Sequence, residues 1–231
     1  MTFAACAALE KAELIIGYKT YLELIPKYLE GKEVVSSEMM KEVERCRMAL
    51  TAAETGKKVA LVSGGDPGIY AMAGLVYELA KEAGSTCKIE IVPGLAAINS
   101  CAARLGAPLM HDFAAISLSD LLTPWEVIEK RLNAAAMADF VTAIYNPRSK
   151  RRTDQIVHAR EIFLAHRLPS TPVGIVTAAT RENEVITITT LDKMLECEIG
   201  MQSTVIIGNS QTFTWNDLMI TPRGYRGKYQ L

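Results

Sequence analysis

No apolar run in this chain approaches the ~20 residues that a membrane-spanning helix needs. There is no basic excess either: 25 Lys and Arg stand against 26 Asp and Glu, a net charge of -1, which argues against a general nucleic-acid binder. The apolar N-terminus, "MTFAACAALEKAEL", has no basic n-region and meets Glu10 and Lys11 early, so it reads as an amphipathic helix opened by Thr2 rather than a secretion signal. The five cysteines, at 6, 46, 87, 101 and 197, are odd in number and scattered, without a C-x-x-C. That argues against a disulfide framework and a zinc site, and fits reduced thiols in a cytoplasmic protein. The Walker pattern G-x-x-x-x-G-K-[ST] is absent, and "GGDPGIYAMAG" (64–74) misses the G-x-G-x-x-G spacing of a dinucleotide fingerprint.

What the chain does have is alternation. Short β-rich runs at 13–17, 33–36, 58–63, 88–92, 113–119, 139–145, 172–178, 184–190 and 203–209 are interleaved with helical patterns. The helical patterns cover roughly 1–12, 38–55, 69–83, 95–106, 125–138 and 153–167. This predicts an α/β protein with largely parallel sheets, its strands covered on both faces. "PVGIVTAATRENEVITITT" lacks a helix between its two runs and predicts an antiparallel pair at the end of a second sheet. "GAPLMHD" (106–112) breaks the pattern and marks a domain boundary, giving domains 1–111 and 112–231.

Two strand-to-helix turns carry candidate chemistry. In "VSGGDPGIY", Asp66 stands where a phosphate loop would want a cation, so a neutral or cationic ligand suits the turn better. The plain alternative is a tight turn with Asp66 capping the next helix. In "IVPGLAAINSCAARLGAPL", Pro93-Gly94 leads into a helix crowded with small residues. Strand ends of this kind are where open α/β sheets bind ligands.

"GGDPGIY…VPGLAA…LGAPLMHD" resembles the tetrapyrrole methylase family, whose members transfer methyl from S-adenosylmethionine to corrin precursors. "GYKTYLELI" (17–25), "ISLSDLLTPWEVIEKR" (116–131), "YNPRSKRR" (145–152) and "TPRGY" (221–225) are similar to its precorrin-3B C17-methyltransferase branch, the cobalt-factor III counterpart included. The resemblance runs over essentially the whole chain. It implies a two-domain α/β fold, the first sheet mostly parallel and the second mixed, with a cofactor cleft between the domains. The family opens with a strand ending in a G-x-G-P-G loop; this chain begins at the helix that follows, so the first domain is expected to lack that strand and loop.

The implied activity is methylation at C17 of precorrin-3B or cobalt-factor III, with ring contraction, in cobalamin biosynthesis. S-adenosylmethionine is the implied cofactor, S-adenosylhomocysteine its product, a corrin-precursor tetrapyrrole the substrate, and a cytoplasmic homodimer the state. No nucleic acid, membrane or protein-bound metal is expected. Carried over residue by residue, Gly64, Gly65, Asp66, Ile69, Ala96, Ala97, Tyr145, Ala179, Ser203 and Thr204 are the cofactor contacts. Ser203 and Thr204 are expected to serve through their backbone.

A ring bearing many carboxylates calls for basic groups at the rim of its site. Arg148, locked between Pro147 and Ser149, is the leading candidate and Arg104 a second, whereas Arg151 and Arg152 read as a solvated helix start. Ring contraction needs proton movement, for which His111 and Asp120 are the acid–base candidates beside Asp112, and His111 also a substrate contact. The residues alone leave other readings open: another corrin carbon, ribosomal RNA, a cofactor-binding module without activity, or a nicotinamide oxidoreductase.

Overall fold

Thr2 opens the first helix in the computed structural model, which describes residues 1–230. Its hydroxyl accepts from the Ala5 N–H at 3.2 Å, capping α1 (Phe3–Lys11). At the other end Lys32 Nζ donates to the carbonyls of Leu9, Glu10 and Ala12, where the helix runs out of backbone donors. The chain divides into two compact units, Met1–Ala96 and the remainder from Ala97.

The first unit is built on a three-stranded parallel sheet of order β2-β1-β3, as the alternation predicts. β1 (Leu14–Tyr18) is its centre, and α2 (Lys19–Leu22) and β2 (Glu33–Ser37) follow. α3 (Glu42–Glu54) leads to β3 (Val59–Val62), and α4 (Ala73–Glu82) closes the series. β1 has four consecutive buried residues because it is covered on both faces. Ile15 packs with Leu9, Leu22 and Tyr28, while Leu14 and Ile16 pack with Ala49 of α3. The outer strands β2 and β3 are only partly covered.

Residues 88–92, expected as a strand, form none. "KIEIV" has strand composition, but a strand is defined by a ladder, and this segment pairs with no neighbour among the described residues. The helix expected over 69–83 is also shorter, beginning at Ala73. The preceding residues turn instead, with Ile69 N–H bonded to the Asp66 carbonyl and Tyr70 at φ 52°.

The second unit holds a mixed five-stranded sheet of order β5-β6-β9-β7-β8. α5 (Ala97–Leu105) and the short β4 (Gly106–Ala107) precede β5 (Phe113–Ser117), α6 (Trp125–Met137) and β6 (Val141–Tyr145). After α7 (Gln155–Leu164) come β7 (Pro172–Thr177), β8 (Val185–Thr190) and β9 (Ser203–Ile207). β5 and β6 are parallel, and β7 and β8 form the antiparallel pair read from the sequence, with β8 at the sheet's edge.

Helices cover both faces of this sheet. Ile128 and Leu132 of α6 and Ile156 and Phe163 of α7 pack with Ile116, Ile144, Ile175 and Val205 in one cluster. Burying each such side chain contributes about 1.5–3 kcal/mol. On the opposite face Leu105 of α5 lies so close to Gly174 that a Cβ there would sit 2.3 Å from its Cδ1. α5 therefore packs with the sheet of the second unit, and the division falls earlier than the 106–112 stretch. A hairpin of β10 (Phe213–Trp215) and β11 (Leu218–Ile220) pairs with β4. These strands of two or three residues are too short to show a period in sequence.

Arg167 organises the edge where β6 begins. Its guanidinium is almost wholly buried against the Phe163 ring and donates to the carbonyls of Gly208, Phe140 and Ala135, with Asp139 at 3.7 Å. Burial lowers its pKa to about 10. Arg167→Met should cost roughly 3 kcal/mol by leaving those buried carbonyls without their donor; the urea midpoint measures the loss, and an unchanged midpoint would contradict this role.

Candidate functional site

In the first unit the two glycine turns meet at a carboxylate. Asp66 Oδ1 accepts from the Gly68 N–H at 2.8 Å, closing its own turn, and Oδ2 accepts from the Gly94 N–H at 3.0 Å. Gly94 lies directly on the first turn: a Cβ at that position would stand 1.9 Å from the Gly65 carbonyl oxygen. The Thr2 hydroxyl donates to the Pro93 carbonyl at 2.9 Å, tying the second turn to the start of α1. Asp66 is thus neither a helix cap nor a free charge; the residue before α4 is Met72, and Asp66 joins turn to turn.

Around this junction Gly64 lies beneath the Tyr21 ring, Gly65 is exposed and Ala96 is buried. Ile69 and Leu95 are 40% and 52% exposed, an apolar surface beside the turns. No Lys or Arg occurs between Leu61 and Tyr77. A cavity of about 840 Å³ lies instead along α3 among Met40, Val43, Arg47, Met48 and Lys57, and holds none of the residues singled out in the sequence.

In the second unit the candidates gather at one edge of the sheet. β6 and β7 both run antiparallel to β9, so Tyr145 and Thr177 end at the edge where Ser203 begins. The Tyr145 hydroxyl accepts the Ile98 N–H at 2.9 Å, satisfying a donor in the first turn of α5. Ser203 Oγ pairs with Thr177 Oγ1 at 2.7 Å and accepts from the Gly200 N–H. Thr204 is buried beside Cys101 of α5, whose thiol pKa burial pushes up. Ala97 and Ala179 are half-buried, the latter between Ala178 and Thr180, which both have positive φ.

The loops after β5 and β6 are stitched together at this edge. Asn146, at φ 48°, donates its side-chain amide to Ser117 Oγ at 2.9 Å. Arg152 Nη2 donates to the Asn146 carbonyl at 2.8 Å, and its Nη1 reaches Ser119 Oγ at 3.5 Å. Gln155 donates to Asp120 Oδ2 at 2.8 Å. Arg152 is therefore a half-buried brace and not the solvated residue the basic run predicts. Arg148, Lys150 and Arg151 stay exposed. Sequence reasoning passed over Ser117, Asn146 and Gln155; the one available signal was Asn-Pro, a turn dipeptide.

Two candidates fall elsewhere or are engaged. Arg104 pairs with Glu184 at 2.9 Å, and Glu184, which also accepts from the Thr180 N–H, is held below its ordinary pKa chiefly by that backbone bond. His111 precedes β5, at the opposite edge from Tyr145, a five-residue strand away, or about 15 Å. Its Nδ1 accepts from the Asp112 N–H at 2.8 Å, and with Asp112, Asp139, Asn209 and Gln211 it borders a cavity of about 250 Å³. The structure does not bring His111 to Asp120 and Tyr145.

A sequence profile for Tetrapyrrole (Corrin/Porphyrin) Methylases matches residues 1–195, more than half of the chain. The chain belongs to the tetrapyrrole methylase family. Among curated relatives it is 54% identical to a cobalt-factor III methyltransferase of Priestia megaterium, over 100% of this chain but 44% of that protein. It thus spans less than half of that relative's length. It is 48% identical to a probable cobalt-factor III C(17)-methyltransferase of Salmonella typhimurium, over 97% of this chain and 93% of the relative. Among solved structures, that of the methyltransferase CobJ superposes with a TM-score of 0.88 at 37% identity, covering 96% of this chain and 93% of that one. The mixed sheet of the second unit and the parallel sheet of the first are this family's fold.

The junction of the turns gives a direct test. Gly94→Ala drives a methyl into the Gly65 carbonyl and should destabilise the protein by about 2–4 kcal/mol. Gly74→Ala, in α4 with open space around the added Cβ, should be neutral or slightly stabilising. Thermal melts of the two variants should separate by several degrees; coincident melts would refute the contact.

Proposed function

We propose that this tetrapyrrole methylase is an S-adenosylmethionine-dependent C-methyltransferase acting at C17 of precorrin-3B or cobalt-factor III, with contraction of the macrocycle. The observation that carries this reading is the 48% identity with the Salmonella relative across 93% of that protein. The glycine turn fits the cofactor: a junction with no cation, its amides at Gly68 and Gly94 already engaged by Asp66, suits a sulfonium nucleoside and not a phosphate.

When bound, S-adenosylmethionine supplies an electrophilic methyl group, and its transfer discharges a sulfonium. The protein's part is to hold, align and keep water out. In this reading Gly64, Gly65 and Ile69 of the first unit face the cofactor, with Asp66 fixing their turn and Ala96 backing it. In the second unit Ala97, Tyr145, Ala179, Ser203 and Thr204 do so. Ser203 and Thr204, whose side chains are buried, are taken as contacts through their backbone, and Tyr145 is held in place by its bond to Ile98. Arg148 meets a substrate carboxylate. Asp120, exposed at the Tyr145 edge, is the acid–base group of ring contraction, and His111 has no part in it. Arg104, engaged by Glu184, is a lesser carboxylate contact.

By family resemblance we place the protein in the cytoplasm as a homodimer. No helix among the described residues is long and apolar enough to cross a membrane.

Incubation with methyl-labelled S-adenosylmethionine and cobalt-factor III or precorrin-3B should give a product heavier by one methyl with an altered absorbance spectrum. Cofactor binding without turnover on either substrate would overturn the reading in favour of a binding module. Arg148→Gln should raise KM for the tetrapyrrole on the order of tenfold and leave S-adenosylhomocysteine affinity unchanged; an unchanged KM removes Arg148 from the substrate site.

A further inference from the structure

The loop after β5 presents two leucines to solvent. Leu121 is 72% exposed and Leu122 is 98% exposed. Scattered exposed leucines need no explanation. This pair is different because of how it is held. Immediately before it, Ser119 and Asp120 are tied to Arg152 and Gln155. Two residues after it, Pro124 precedes α6, and Trp125, the first residue of that helix, packs against the core. Both flanks are anchored, so the leucines are displayed by a fixed support.

Their neighbour is the loop after β6, and it is the complement of an apolar pair. That loop exposes Arg148, Lys150 and Arg151, and the Arg152 brace joins it to the leucine loop. Both loops leave the sheet at the Tyr145 edge, from adjacent parallel strands about 4.8 Å apart. The edge therefore offers a hydrophobic step beside a group of cations. A ligand that matches both is broad and apolar on its face and anionic around its rim. A partner protein surface would have to repeat that combination, whereas a carboxylated macrocycle has it by constitution.

We infer that Leu121 and Leu122 form an apolar platform for one face of the tetrapyrrole, while the cations of the adjoining loop meet its carboxylates. This rests on the functional reading above and adds substrate-contact residues to it. The Asn146–Arg152–Gln155 ties are the support that keeps the platform in register with the cations.

The test uses the full-length protein and cobalt-factor III as substrate. Leu121→Ser with Leu122→Ser should raise KM for cobalt-factor III at least about tenfold, since the pair loses most of its apolar contact area. Affinity for S-adenosylhomocysteine should stay within about twofold, and the thermal midpoint should not fall, because both side chains are exposed in the free protein. Leu168→Ser serves as the control: that leucine is 73% exposed and lies before β7, at the other edge of the sheet, and its replacement should leave KM unchanged. An unchanged KM in the double variant overturns the inference. So does a double variant that changes only its sedimentation from dimer to monomer, which would assign the pair to self-association. A wild-type protein inert toward both corrin precursors would sink the functional reading first, before any variant is compared.

Discussion

A single carboxylate governs the chemistry of the glycine turns. Asp66 accepts one N–H from its own turn and one from Gly94 in the next. A phosphate-binding loop works by leaving such amides free and adding a cation. Here the protein supplies its own anion, permanently attached, and the amides answer to it. An anionic ligand meets a negative charge and two donors already engaged. That is why a loop rich in glycine carries no phosphate motif, and why glycine is still required: the backbone of Gly94 rests against that of Gly65 with no room for a side chain.

The second unit reaches order at the Tyr145 edge by other means. Side chains lock the loops: Asn146 to Ser117, Arg152 to the Asn146 carbonyl and Ser119, Gln155 to Asp120. Arg152 Nε remains buried without a partner, a cost the brace bears for holding two loops at once. The opposite edge has a comparable device in Arg167, which collects carbonyls from three segments. Arginine serves in both places because its planar fork holds several acceptors in fixed directions.

Most of the architecture was readable from residue pattern. The alternation located eight long strands, and the helix-free "PVGIVTAATRENEVITITT" disclosed the β7–β8 pair. What the pattern missed has separate causes. "KIEIV" has the composition of a strand but no ladder, and β10 and β11 are too short to display alternation. Ile69 to Met72 carry helical composition, yet Asp66 turns the chain first. Of the residues proposed for the site, Tyr145, Thr204 and Ala179 could be placed at strand ends from the pattern, and they lie at one edge of the sheet. His111 was misplaced because a boundary in sequence says nothing about which end of a strand it adjoins. Arg152 was misread because a basic run looks solvated until the loop folds back over one member.

The path of α5 has a mechanical consequence. This nine-residue rod, about 13 Å long, is fixed at its start by the Tyr145 hydroxyl and at its far end by Glu184, and it crosses β9 and β7 on the way. Leu105 wedged on Gly174 leaves it no slack. One helix thus ties Tyr145 at the end of β6 to Glu184 at the start of the outermost strand, across the width of the sheet.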